Sequence, residues 1–156
     1  MDHERPATEE TLSLEEVRRQ RVGVRAALDG LERALAAPAA GRAKDWATTV
    51  CERAAALSEA FGNHIEVTEG PAGVFDDVLA HSPRLAGRVT RLRNEHVAIV
   101  EGLSDVARAA RDEDPEQEVD AIRDAALTVM GLVVRHRSAG SSLLYEAYFV
   151  DIDASD

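Results

Sequence analysis

Four stretches of this chain repeat an apolar residue at alternating steps of three and four, a period that admits little besides α-helix. The first starts at Ser13, a capping hydroxyl with Glu16 three residues on. It carries Leu14, Val17, Val24, Leu28, Leu31 and Leu35 and stops before Pro38. The second begins after Gly41 and carries Val50, Ala54, Leu57, Phe61 and Ile65 as far as Gly70-Pro71. The third opens at Ser82-Pro83, a cap followed by proline at the first helical position, with Leu85, Val89, Leu92, Ile99, Leu103 and Val106 in its stripe. The fourth begins near Pro115 and carries Val119, Ile122, Ala126, Val129 and Val133. Helices of about 25 residues on mostly short links predict an all-α, up-down-up-down antiparallel four-helix bundle, packed near +20°.

The bundle is expected over residues 12–148. Residues 1–11, with His3, read as a flexible acidic tail, and 149–156 as a second one. Residues 71–81 form a connection with one short helical turn, and His81 is expected there at the surface. A helical break is expected at Gly140-Ser141-Ser142, after which Tyr145 and Glu146 pack as an ordinary surface segment.

Composition excludes several functions. With 18 basic and 29 acidic residues the net charge is −11, which repels a phosphate backbone and argues against nucleic acid as a partner. No apolar run approaches the roughly 20 residues that cross a bilayer, and MDHERPATEE does not read as a secretory signal. Cys51 is the only cysteine; it excludes an intrachain disulfide, suits a cytoplasmic location and is expected to be a buried structural thiol. There is no glycine-rich phosphate loop, no nucleophile elbow, no HExxH and no cysteine pair, so any catalysis would depend on a metal.

The apolar stripes are interrupted at one level. Continued at steps of three and four, the third stripe includes His96, the fourth His136, the second His64 and Thr68, and the first Arg21. At about 1.5 Å per residue, measured from one end of the bundle, these residues fall at depths of roughly 22 to 33 Å. Loop lengths blur that spread, so all four helices can feed one polar layer. Burying an unpaired imidazole costs about 1–3 kcal/mol, a penalty that a shared metal, ligand or water would remove. Neutral imidazole is also the commonest transition-metal ligand.

The three histidine segments, HIEVTEG on the second helix, NEHVAIVEGL on the third and VVRHRSAG on the fourth, resemble the hemerythrin-like (HHE cation-binding) domain. That family is a four-helix bundle holding a non-haem di-iron centre, and the resemblance covers about residues 12–148. It implies His64, His96 and His136 as ligands to iron or another transition metal. It also shows departures. Arg21 holds the place of the first helix's histidine, and Thr68 that of the second helix's carboxylate. Leu92 and Val100 stand where some members have a second histidine on the third helix, and Gly140 and Ser141 where the fourth offers a carboxylate. Without bridging carboxylates, the resemblance implies a reduced site with a single ion rather than an intact di-iron pair.

Glu69 lies about 100° around the helix from Thr68; it becomes a fourth ligand if the helix loosens before Gly70-Pro71. Otherwise Glu69, like Glu95 beside His96, is expected at the surface. Three functions follow. One is a metal protein sensing or handling oxygen, nitric oxide or peroxide. The second is a metal-free bundle in which Arg21, Thr68 and the imidazoles hold a small anionic ligand. The third is a scaffold acting through a homodimer or another protein partner, with the polar layer fixing helix register.

Overall fold

The computed structural model describes residues 7–112 and 114–150 of the chain. They form four long helices, α1 (Ala7–Ala36), α2 (Ala43–Glu69), α4 (Ala86–Ala110) and α5 (Pro115–Tyr145), and a short one, α3 (Val74–His81). A 3₁₀ turn at Pro83–Leu85 leads into α4, and a π-helical turn at Glu146–Val150 follows α5. No strand occurs among the described residues, and no helix is long and apolar enough to cross a membrane.

Three boundaries differ from the sequence expectation. Helix α1 begins at Ala7, so Ser13 lies inside it rather than at its cap, and residues 7–11 of the expected tail are helical. No glycine or proline intervenes from Ala7 to Val22 to interrupt the helix. The rest of the first tail and residues 151–156 lie outside the described residues. The connection expected over 71–81 contains all of α3, whose Val74, Phe75 and Val78 are buried. Helix α5 runs unbroken through Gly140-Ser141-Ser142 because burial of Leu143 and Ala147 beyond it outweighs local propensity.

The long helices enclose two apolar clusters. The larger takes in Leu31, Trp46, Leu57, Phe61, Ile99, Leu103, Ile122 and Val129. Trp46 closes its far end, donating its indole N–H to the Ala34 carbonyl at 2.9 Å, with the Arg123 guanidinium 5.1 Å over its ring. The smaller joins Val17 of α1, Phe75 and Val78 of α3, Val89 and Leu92 of α4, and Leu143 of α5. The C-terminal turn is fastened over this second cluster. Arg84 and Arg88 pair with Glu146, the former at 2.5 Å, and the Tyr148 hydroxyl donates to Asp77. Between the clusters lies the polar layer.

Candidate metal centre

His96 and His136 are 2% and 3% exposed, and they are the only buried imidazoles among the described residues. Both take the stripe positions that helical period assigns them, on α4 and α5, and half-buried His64 reaches them from α2. The Nε2 atoms converge: His96 to His136 is 3.0 Å and His64 to His136 is 3.2 Å. One ligand nitrogen from each ring lies within 4.8 Å of the other two. Phe61 forms a common wall, its centroid 5.3, 5.5 and 5.7 Å from those of His64, His96 and His136. Phe75 stacks on the outer face of His96 at 5.8 Å and 13°.

The outward nitrogens fix the tautomers. His96 donates its Nδ1–H to Glu69 Oε1, and His136 donates its own to Glu95 Oε2 at 2.8 Å. With each proton committed to Nδ1, a neutral His96 and His136 turn lone pairs toward each other across 3.0 Å. Two lone pairs at that range repel unless a proton or a cation lies between them. Burial foremost, then the two neighbouring imidazoles and Arg21, lowers the His64 pKa to about 3. Burial, His136 and Arg93 lower that of His96 to about 3. For His136 burial again lowers the value, against the upward pull of Glu95. The trio is therefore neutral at pH 7, the state in which imidazole ligates metals.

The donor set fits a transition ion. Nitrogens bound at about 2.0–2.1 Å in adjacent positions are separated by roughly 2.9 to 3.4 Å, the range of these contacts. Carboxylates behind two of the rings are the usual outer partners of metal-bound histidine.

The remaining expected site residues fall around this trio in different roles. Glu69 is the last residue of α2, and its carboxylate meets the far nitrogen of His96 rather than the cluster centre. The helix ends there because the chain must turn tightly: a Cβ at Gly70 would lie 2.4 Å from the Glu66 carbonyl oxygen, and one at Gly73 would lie 2.7 Å from that of Gly70. Thr68 is buried, but its hydroxyl donates to the His64 carbonyl at 2.8 Å, with that of Ile65 at 3.2 Å, which ties it to its own helix. Arg21 lies along the open side, its guanidinium beside Gly140. Burial and the Arg137 charge lower its pKa. His81 is exposed as expected and donates to the Asp77 carbonyl at 3.0 Å.

Glu95 is the residue that sequence reasoning missed. It is half-buried, and it serves the histidine of the neighbouring helix rather than the one beside it in sequence. Its only sequence signal is adjacency to His96, which by itself points to the wrong ring. Phe61, read as ordinary core, and Arg137, not singled out, also belong to the surroundings. No protein-family model, curated protein or solved structure significantly matches this chain.

Proposed function

We propose that the chain is a hemerythrin-like metal protein that holds one transition ion, such as iron or zinc, on the Nε2 atoms of His64, His96 and His136. The observation that carries the reading is the convergence of three neutral imidazole nitrogens, two of them with lone pairs fixed inward by Glu69 and Glu95. The helix pairings, α1 with α2, α4 with α5 and α2 with α4, are compatible with a four-helix bundle, which is the fold the resemblance implies. A single ion suits this chain better than a pair, since both nearby carboxylates stand behind rings and Thr68 offers a hydroxyl already engaged.

Bound at three imidazoles, such an ion supplies an open position that polarises water or a small diatomic molecule. The chain's own contribution is to orient the rings through Glu69 and Glu95 and to keep bulk water out with Phe61, Val24 and Leu92. The role we assign is the sensing or handling of oxygen, nitric oxide or peroxide. Size disfavours a metal-free pocket for a metabolite: each of the two cavities against the histidines is about 20 Å³, room for no more than a few heavy atoms.

Elemental analysis of protein purified without added metal tests the reading. The expected result is close to one transition ion per chain, falling to background in His96→Gln and His136→Gln. Less than about 0.1 ion per chain, unchanged on incubation with iron(II) or zinc, would overturn it.

A further inference from the structure

The side of the imidazole cluster away from Glu69 and Glu95 is cationic, although the chain as a whole carries −11. Arg21 of α1 and Arg137 of α5 lie close enough for the charge of Arg137 to depress the Arg21 pKa. Neither guanidinium makes a hydrogen bond or ion pair with a described residue, and both are half-buried. Elsewhere in the fold, half-buried arginines are engaged: Arg88 with Glu146 and Ser142, and Arg123 with two carbonyls and the Trp46 ring. The carboxylates nearest the cluster, Glu69 and Glu95, are already committed to His96 and His136.

Arg21 lines both small cavities, and each also reaches His64, His136 and Gly140. The first adds Val24, Phe61 and Arg137. Gly140 borders the guanidinium, with Arg21 Nη2 3.9 Å from where a Cβ there would stand, an ordinary contact distance. Arginine stays charged even when half-buried, and a charge without a partner in such a place is costly. A doubly charged ion on the trio would add two positive charges beside two arginines, against two carboxylates. The surplus calls for an anion.

We infer that Arg21 and Arg137 form a subsite for a small inorganic anion of two or three heavy atoms, which takes the open side of the histidine cluster and accepts a hydrogen bond from the Arg21 guanidinium. This rests on the metal reading above and names the ligand class for the same site. The cavity volume sets the size limit. The guanidinium sets the charge, since a fork of N–H donors strengthens its bond to an anion over that to a neutral molecule. A residue that opposes a cation in its own site is thereby given a purpose: it makes metal binding weaker and anion binding stronger.

The test loads the full chain with cobalt(II), whose visible absorption reports entry of a ligand into the coordination sphere, and titrates it with sodium azide and with benzoate. Cobalt content and cobalt affinity are measured first on every sample. Azide is expected to saturate the spectral change and benzoate to leave it unaltered. Arg21→Met should weaken azide at least about tenfold while cobalt binds as tightly or more tightly, and Arg21→Lys should recover part of the azide affinity. Arg137→Met, at a residue that lines only the first of the two cavities, should weaken azide in the same direction. Cobalt bound normally but azide affinity equal in wild type, Arg21→Met and Arg137→Met would overturn the anion subsite and leave the metal site standing. Benzoate binding as tightly as azide would overturn it too. A chain that takes up no cobalt would overturn both.

Discussion

A buried histidine differs from a buried leucine in that its comfort depends on pH. His64 and His96 have pKa values lowered to about 3, first by burial and then by neighbouring positive or titrating groups. In the unfolded chain an imidazole titrates near 6.5. Between those values the unfolded state binds more protons than the folded one, so the stability of the metal-free protein rises with pH across that window. The contribution is full above about pH 6.5 and is lost as pH falls toward 3. Urea midpoints of metal-free protein should therefore drop from pH 7.5 to pH 5.5, above the range in which ordinary carboxylates protonate. His64→Gln should flatten the slope. A midpoint constant over that window in the wild type would show that the imidazoles are already charged or solvated in the folded state.

At the scale of elements, α4 and α5, which carry His96 and His136, pack closely together. The approach is made at Gly102, where a Cβ would lie 2.9 Å from Val129 Cγ2. Val129 is fully buried and has nowhere to retreat. Gly102→Ala gains helix propensity but must push the helices apart, a net loss of about 1–3 kcal/mol by the rules for overpacking. Chemical denaturation should show that loss, together with weaker metal uptake, because widening the pair also widens the 3.0 Å contact. A variant as stable as the wild type would mean that the helix spacing is set elsewhere. The same element scale separates what was legible in the sequence from what was not. His64, His96 and His136 could be read because a helical stripe returns to one face on a fixed period. The places of Glu69 and Glu95 behind the rings could not, since each lies one step off its stripe. Glu69 is brought in by the end of α2 at Gly70, and Glu95 by the reach of its side chain to the ring on α5. Both depend on where a neighbouring helix stands. The continuation of α5 past Gly140 was hidden for a similar reason, because only the α1, α3 and α4 side chains around Leu143 reveal that it is core.

For the whole molecule the question is which cations it feels. A ligand that binds only the folded state at a hundred times its dissociation constant adds about 2.7 kcal/mol of stability. For a domain of this size that amounts to roughly 5 to 10 °C in Tm. A chain with net charge −11 also gathers cations on its surface carboxylates, and that raises Tm without any site. The two contributions separate by ligand chemistry. Magnesium prefers oxygen donors and has little affinity for imidazole, whereas zinc and iron bind neutral imidazole well. At equal ionic strength, zinc or iron(II) should raise Tm by the full amount at a free concentration about a hundred times its dissociation constant, and millimolar magnesium should add only the small, salt-like shift that screening gives. His136→Gln should erase the first effect and leave the second intact, since it removes the nitrogen that meets both other rings while leaving every surface carboxylate in place. Equal shifts from magnesium and zinc would put the cation on the surface of the bundle and take the three imidazoles out of the account.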